Sequence, residues 1–172
     1  MTLIDLATPT RLQHGLAALP IAIIGAGPIG LAAAAQLVER GLDFVIYETG
    51  SSVASSVRSW GHIRLFSPWK HLIDPAARRV LEAAGWVQPR YQSTAPSGAE
   101  LVDLYLAPLA ALEQIHTRIR TGVTVTAVTR EGMDRTRSMD RASTPFVLRI
   151  READGAVSEV KARAVIDRKS VV

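Results

Sequence analysis

Residues 21–48, IAIIGAGPIGLAAAAQLVERGLDFVIYE, decide the fold of this chain. A short β-branched run at 21–24 predicts a buried parallel strand, and a glycine-rich turn follows at once. Residues 29–40 are rich in Ala and Leu and predict a helix, which Gly41 ends. A second strand at 44–47 then leads into Glu48. A strand, a tight glycine turn, a helix and a strand ending in an acid are together typical of a dinucleotide-binding unit.

The turn itself is Gly25-Ala26-Gly27-Pro28-Ile29-Gly30. Its first glycine permits the tight turn, its second lets a pyrophosphate approach the backbone, and its third lets helix and strand pack closely. The first turn of the helix adds unpaired N–H groups and a partial positive charge. Glycines also occur in turns for conformational reasons alone. The prediction of a dinucleotide site therefore rests on the turn together with both strands and Glu48.

Two charged residues after the turn are candidate ligand contacts. Glu48 follows the turn by about 20 residues, where an acid accepts hydrogen bonds from ribose hydroxyls. Its charge would repel a 2′-phosphate, which argues against NADP at this site. Arg58 lies in the next loop and could reach the phosphates. The alternatives are a solvated carboxylate at the strand end and a surface arginine.

Residues 49–70 form a long irregular stretch, a kind of segment that is often functional. Aromatic and basic side chains are dense in it and directly after it: Trp60, His62, Arg64, Phe66, Trp69 and His71. They could stack beside a flavin ring, shape a substrate pocket or fill a core beneath the loop. Nothing in the sequence orients a histidine for proton transfer, so the catalytic residues stay unknown.

The second half of the chain changes from helical to strand patterns. Asp74 caps a helix that ends at Gly85, and a capping box at Ser97 and Glu100 starts another that runs toward Ile119. Pro108 should kink this helix or split it. Alternation from Val123 onward predicts a first strand. Three further strands are predicted at 146–151, 157–161 and 164–166. A polar loop at 131–144 and a hairpin turn at 154–155 connect them.

Composition limits the function classes. The net charge is +4, but the arginines are scattered among acids, so we expect no nucleic-acid partner. The absence of cysteine excludes disulfides, thiolate metal sites and a redox dithiol, and no metal-ligand spacing occurs. The longest apolar run, 16–37, is broken by prolines and glycines, so we expect no membrane span. Without a secretory signal, we expect the cytoplasm as location.

The turn, the FVIYE strand and residues 57–69 (VRSWGHIRLFSPW) together resemble a bacterial family of FAD-dependent oxidoreductases. This family belongs with the flavin-containing monooxygenases and thioredoxin-reductase-like flavoproteins. The resemblance covers residues 20–166 and implies an α/β fold, a Rossmann-like FAD/NAD(P)-binding domain with a parallel sheet and a β-meander. It implies that the turn and Glu48 hold FAD, that Arg58 assists, and that backbone groups at Val125 contact the adenine.

The resemblance also implies an activity. The intact protein would be an NAD(P)H-dependent, monooxygenase-like flavoprotein, in which hydride passes from a nicotinamide to the flavin and then to oxygen or another acceptor. Its partner would be a small-molecule substrate or electron acceptor, with a homo-oligomer as a further possibility. The alternatives are an NAD-binding dehydrogenase domain, which needs a third parallel strand joined by another helix soon after Glu48, and a non-catalytic nucleotide-binding module.

The C-terminal end departs from the family pattern. The last strand should continue into a small-residue turn and a second Rossmann unit, but the chain reads RKSVV at 168–172. The peptide DRKSVV is also the translation of a widely used sequencing adapter. We therefore expect an N-terminal extension at 1–19, an incomplete FAD-binding domain at 20–167 and a non-native tail at 168–172. Such a fragment should be inactive alone, with an exposed sheet edge and an uncovered apolar face.

Overall fold

The computed structural model describes residues 15–134 and 139–167, so the expected tail at 168–172 lies outside the described residues. The strands are β1 (Ile21–Ile24), β2 (Phe44–Glu48), β3 (Ile119–Thr121), β4 (Thr124–Arg130), β5 (Phe146–Arg151), β6 (Val157–Ala162) and β7 (Ala164–Asp167). The helices are α1 (Pro28–Glu39), α2 (Ser55–Ser59), α3 (Pro75–Ala83), α4 (Gly98–Leu101), α5 (Ala107–Ala111) and α6 (Glu113–His116). A 3₁₀ turn at Trp69–His71 and a π-helical turn at Val102–Leu106 complete them.

The strands form two sheets. A parallel sheet has the order β3-β2-β1-β7, and an antiparallel meander has the order β4-β5-β6. In the parallel sheet Ile23 lies between Ile46 of β2 and Ile166 of β7, which places β1 at the centre. The predicted α/β fold, a Rossmann-type parallel sheet with a β-meander, is confirmed.

Alternate residues of β1 enter two separate hydrophobic cores. Ile21 and Ile23 pack with the helices on one face of the sheet, whereas Ala22 and Ile24 pack with the meander on the other. Because strand side chains alternate between faces, a strand covered on both sides must be apolar throughout. The continuous run IAII is thus explained by its position in the middle layer.

The uncovered apolar face that the sequence led us to expect is absent from the described part of the sheet. Ala164 and Ile166 of β7 pack on the helix side, and Val165 packs on the meander side. The two edges of the described sheet are β3 and β7, as its strand order shows. The last strand is therefore an edge, as expected, but both of its faces contact a core.

Most predicted helix ends are confirmed by their local geometry. Gly41 after α1 and Gly85 after α3 both adopt positive φ, the conformation that favours glycine. The Asp74 side chain accepts from the N–H groups of Ala76 and Ala77 at the start of α3. Ser97 and Glu100 form both hydrogen bonds of the capping box at α4.

The helix predicted to run toward Ile119 is wrong at its C-terminal end. Helical structure stops at His116, and Ile119–Thr121 forms β3, which pairs in parallel with β2. Pro108 lies in α5 directly after the π-helical turn, and Leu106 and Ala107 before it keep helical dihedrals, so the chain is not split there. The break in this helical segment comes at Leu112, whose ψ of 130° is extended.

Candidate functional site

A cavity of about 770 Å³ opens where β1, β2 and β4 meet the N-terminal end of α1. Ligand pockets in proteins usually measure about 300–1,000 Å³, so this one has the size for a large part of a dinucleotide. Most of its lining comes from the glycine turn, the end of β2 with the loop after it, α2, and the start of β4: Gly25, Gly27, Pro28, Ile29, Gly30, Tyr47, Glu48, Thr49, Gly50, Ser55, Ser56, Ser59, Thr124 and Val125.

The three glycines of the turn meet three different requirements. Gly25 has a φ of +97°, which residues with a Cβ rarely adopt. A Cβ on Gly30 would lie 1.9 Å from the carbonyl oxygen of Gly25, so the helix could not approach the strand. Gly27 has an ordinary φ of −83°, and a Cβ there would meet no protein atom within 4 Å. Neither backbone conformation nor packing against the protein therefore explains the glycine at position 27.

The N-terminus of α1 lies open beside Gly27. This N-cap makes no side-chain hydrogen bond, and the first turn of α1 contains no acidic residue. Pro28 has no N–H, so the donors of this turn are the backbone N–H groups of Ile29 and Gly30, both of which line the cavity. Such a turn attracts an anion, since its N–H groups and the helix dipole both favour negative charge.

Glu48 is held in place by three donors of the protein. Its Oε2 accepts from the N–H of Ala26 at 2.7 Å, and its Oε1 accepts from the N–H of Gly50 at 2.8 Å. The Ser55 hydroxyl also donates to Oε1, at 3.1 Å. The carboxylate is thus partly buried and bonded to the glycine turn, which contradicts the alternative of a merely solvated strand end.

The start of the meander forms the opposite wall. Val125 lines the cavity and pairs with Ile150 on β5. The pairing shifts by one residue between Val125 and Ala127, which forms a β-bulge at Thr126. The N–H of Val123 donates to the carbonyl of Glu48 at 2.9 Å, so β4 starts against the end of β2. The structure therefore brings Val125, Glu48 and the turn glycines around one cavity.

Arg58 lies beside the cavity without lining it. It belongs to α2, one residue before Ser59, and its Nη1 lies 3.3 Å from Oδ1 of Asp103. Both side chains of this ion pair are about half exposed. The predicted contact between Arg58 and the phosphates stays a prediction, and in this structure its partner is Asp103.

Residues 60–71, which carry the dense aromatic and basic side chains, form an irregular ribbon next to the site. Its backbone bonds to residues 92–99, for example from Leu65 N–H to the Pro96 carbonyl at 2.8 Å. Trp69 is buried in the core, and the ring of Trp60 lies so close to Gly98 that a Cβ there would be 2.7 Å from it. The other four side chains singled out in this stretch are exposed: His62, Arg64, Phe66 and His71. Trp60 and Trp69 thus fill space beneath the loop, and none of the six lines the cavity.

Ser55, Gly50 and Ala54 are site residues that sequence reasoning missed. Ala54 has a φ of +54°, an unusual conformation for alanine, and its N–H donates to the Ala26 carbonyl at 3.0 Å. A Cβ on Gly50 would lie 2.2 Å from the Ser55 hydroxyl oxygen. The only signal in the sequence is the Gly- and Ser-rich composition directly after Glu48.

The structure describes neither a metal site nor a membrane-spanning helix within residues 15–134 and 139–167. Within them no three His, Asp or Glu side chains are grouped as a metal site would require. No helix among these residues has the length and apolar character needed to cross a membrane.

Comparison with known proteins identifies related families and folds. A family described as FAD dependent oxidoreductase (DAO) matches residues 20–169. No curated protein sequence matches the chain at a significant level.

Three solved structures illustrate the similarity in fold. A bacillithiol disulfide reductase from Bacillus cereus superposes with a TM-score of 0.63 at 20% identity, over 86% of this chain and 38% of the reductase. An oxidized steroid monooxygenase bound to NADP gives 0.62 at 19% identity, over 86% and 25% of the two chains. OTEMO in complex with FAD and NADP gives 0.60 at 20% identity, over 86% and 25%. The chain spans well under half the length of these proteins.

Proposed function

The chain belongs to the family of FAD-dependent oxidoreductases, and from this premise we propose that its cavity binds the adenosine diphosphate half of FAD. The pyrophosphate would lie against the turn Gly25–Gly30 and the first N–H groups of α1. Glu48 would accept a ribose hydroxyl, and backbone groups of Val125 would contact the adenine. The turn, Glu48 and Val125 all line the same cavity, which supports this arrangement.

Gly27 is the observation that carries the proposal. Its backbone conformation is open to any residue, and a Cβ would meet only empty space on the cavity side. A glycine that the protein itself does not need is explained if a ligand occupies that space. The neighbouring helix N-terminus adds the preference for a phosphate.

Arg58 has a secondary place in this proposal. It lies on α2, which also contributes Ser55 and Ser59 to the cavity. Since its ion pair with Asp103 is half exposed, the pair contributes little stability and its side chain is free to exchange partners. We propose that Arg58 turns toward the phosphates when the dinucleotide is bound.

The intact protein would be an NAD(P)H-dependent, monooxygenase-like oxidoreductase. When bound, FAD supplies the hydride and electron chemistry, while the residues described above bind and orient it. The sequence contains one glycine turn of this type, so we propose that the nicotinamide site comes from another part of the intact protein. We accordingly expect the chain alone to show no NAD(P)H oxidation. Cytoplasmic location and a homo-oligomer remain part of this proposal.

The alternative of an NAD-binding dehydrogenase domain has less support. It requires a third parallel strand joined through a helix soon after Glu48. The third strand is present as β3, but it begins at Ile119, and α2, the ribbon and helices α3–α6 lie between it and β2. The antiparallel meander that covers the other face fits the FAD-binding family better.

The experiment is a cofactor titration with two alanine variants. Gly27→Ala places a methyl group in the proposed phosphate position, and Gly15→Ala adds one at another glycine where a Cβ would meet no atom within 4 Å. We expect FAD to stabilise the unmodified chain against heat, by about 2.7 kcal/mol at a concentration 100 times Kd. Gly27→Ala should weaken FAD binding at least about tenfold, which equals 1.4 kcal/mol, without lowering the melting temperature of the free chain.

Three results of this titration would contradict the proposal. These are stabilisation by NAD but not by FAD, equal affinity of the Gly27→Ala and Gly15→Ala variants for FAD, and no effect of any dinucleotide on the melting temperature. Binding is measured from the quenching of flavin fluorescence, and the melting temperature by circular dichroism.

A further inference from the structure

We propose that Ser55 is a positioning residue that orients the Glu48 carboxylate so that a single acceptor position remains for the ribose. This inference rests on the proposed function, because it assumes that an adenine nucleotide occupies the cavity. It adds a residue to the site that neither the motif nor the family assignment points to. Its basis is the hydrogen bonding around Glu48.

The hydrogen bonds to Glu48 are distributed unequally between its two oxygens. Oε1 accepts from the Gly50 N–H at 2.8 Å and from the Ser55 hydroxyl at 3.1 Å. Oε2 accepts from the Ala26 N–H at 2.7 Å. A carboxylate offers about four lone-pair positions, two on each oxygen. Both positions of Oε1 are therefore filled, and one position of Oε2 remains.

The place of Ser55 is fixed by close packing. A Cβ on Gly50 would lie 2.2 Å from its hydroxyl oxygen and 2.5 Å from its Cβ, so the loop after β2 closes directly over this side chain. Ala54, the residue before it, adopts a positive φ and bonds through its N–H to the Ala26 carbonyl. The peptide at Ala26 is thus held on both sides, by Glu48 through its N–H and by Ala54 through its carbonyl.

This arrangement makes the carboxylate a rigid acceptor. Without the Ser55 hydroxyl, the carboxylate keeps two backbone donors, the Gly50 N–H on Oε1 and the Ala26 N–H on Oε2. One of the three bonds that resist rotation about the Cγ–Cδ bond is lost, so the carboxylate is held less firmly. Rotation would move the free position of Oε2 away from the ribose. A loss of Ser55 should therefore weaken recognition of the ribose hydroxyls and leave the phosphate contacts unchanged.

The experiment compares two ligands that differ only in these hydroxyls. ADP and 2′,3′-dideoxy-ADP are titrated calorimetrically into the 172-residue chain and its variants. Ser55→Ala removes the hydroxyl, and Ser52→Ala is the matched control, an exposed serine in the same loop that does not line the cavity. We expect Ser55→Ala to lower the ADP to dideoxy-ADP affinity ratio about three- to tenfold, as a displaced charge-assisted bond would, while dideoxy-ADP affinity stays constant.

A double-mutant cycle tests whether Ser55 acts through Glu48. In the Glu48→Gln background Ser55→Ala should change the affinity ratio by less than about twofold, because the oriented carboxylate is already lost. An equal effect of Ser55→Ala in both backgrounds would overturn the inference, as would an equal loss of affinity for both ligands. Amide exchange of Ala26 provides a readout without ligand, and Ser55→Ala should accelerate it.

The failures of the two proposals are distinguishable. If the unmodified chain binds neither nucleotide, the proposed function fails, and the positioning role fails with it. If it prefers ADP over dideoxy-ADP and Ser55→Ala leaves that preference and the Ala26 exchange rate unchanged, only the role of Ser55 is overturned.

Discussion

Single residues in this chain show how the same amino acid answers different physical needs. Position 25 requires glycine because its φ is positive. Position 30 requires glycine because a Cβ there would collide with the carbonyl oxygen of Gly25. Neither reason applies to position 27, and its glycine is explained by the cavity that it borders. Distinguishing these cases requires φ values and distances, since the sequence motif alone presents three equivalent glycines.

Tyr105 gives a prediction for the pH dependence of stability. Burial raises the pKa of this phenol to about 12, above its ordinary value near 10. The unfolded chain therefore ionises Tyr105 first as the pH rises, so its contribution is fully present below about pH 10 and is lost toward pH 12. We expect a loss of about 1.4 kcal/mol per pH unit in this window.

Comparison with Tyr105→Phe isolates this loss from other titrations. The backbone N–H of Asp74 donates to the Tyr105 hydroxyl at 3.1 Å, so the variant should be about 1 kcal/mol less stable at pH 8. Above pH 10 the difference in the free energy of unfolding should shrink and then reverse. A constant difference from pH 8 to pH 11.5, measured by urea unfolding, would show that the phenol is not perturbed by burial.

The residues of the site differ in how far the sequence reveals them. The six residues of the turn, Glu48 and Val125 follow from a motif, a strand end and a family resemblance. All of them border the cavity except Ala26 of the turn, which is fully buried. Ser55 was missed because its role depends on a side-chain bond to Glu48, seven positions earlier, in a loop without periodicity. Local patterns reveal backbone requirements, whereas contacts across an irregular loop need the structure.

At the scale of elements, Pro108 explains an unusual contact of Trp86. Leu104 lies in the π-helical turn directly before Pro108, and a proline has no N–H to offer to any carbonyl of that turn. The Leu104 carbonyl instead accepts from Nε1 of Trp86 at 2.9 Å. The π-helical turn is thus joined to the chain after α3 through a side-chain bond.

This side-chain bond predicts the effect of Trp86→Phe. The variant keeps an aromatic ring beside Tyr105, whose centroid lies 6.3 Å from that of Trp86, but it removes the donor to Leu104. We expect a loss of about 1 kcal/mol in the free energy of unfolding. Val87→Ala, at an exposed neighbouring position, should change stability by less than about 0.5 kcal/mol.

Pro108→Ala tests whether the Trp86 bond depends on the proline. The substitution adds a backbone N–H four residues after Leu104; if that N–H bonds to the Leu104 carbonyl, Trp86→Phe should cost less in the Pro108→Ala background than in the unmodified chain. An equal cost in both backgrounds, measured by chemical unfolding, would separate the Trp86 bond from the proline.

Elements with a strong local pattern were predictable, and the exceptions have physical causes. Strands β1 and β2, helices α1 and α3 and the meander follow from apolar runs, caps and alternation. Strand β3 has only three residues, two of them exposed, and its partner β2 lies about 70 positions earlier in the sequence. So short a segment has no detectable period, and its conformation is set by the edge of the sheet that it joins.

For the whole molecule, the decisive fact is that three layers meet at one cavity. The helical layer contributes α1 and α2 to the lining, and the parallel sheet contributes the end of β2. The meander contributes Val125. The position of Val125 depends on how the meander packs on the sheet, because β4 begins against the end of β2 and Val125 packs on the core between the two sheets. Stability of the meander and nucleotide binding should therefore be coupled.

Ile150→Ala tests this coupling between packing and binding. Ile150 is fully buried between the two sheets and pairs with Val125 across the meander. Its truncation should lower the free energy of unfolding by about 2–4 kcal/mol, through lost burial and the cavity it leaves. Because the strand that holds Val125 loses its support, FAD affinity should fall as well, by about threefold or more.

Val157→Ala on β6 is the control, because it removes a side chain that is more than half exposed and should leave both stability and FAD affinity unchanged. If Ile150→Ala lowers stability while FAD affinity measured on the fully folded variant stays constant, the adenine end of the cavity does not depend on the meander, and Val125 would lose its assignment as a wall of the site.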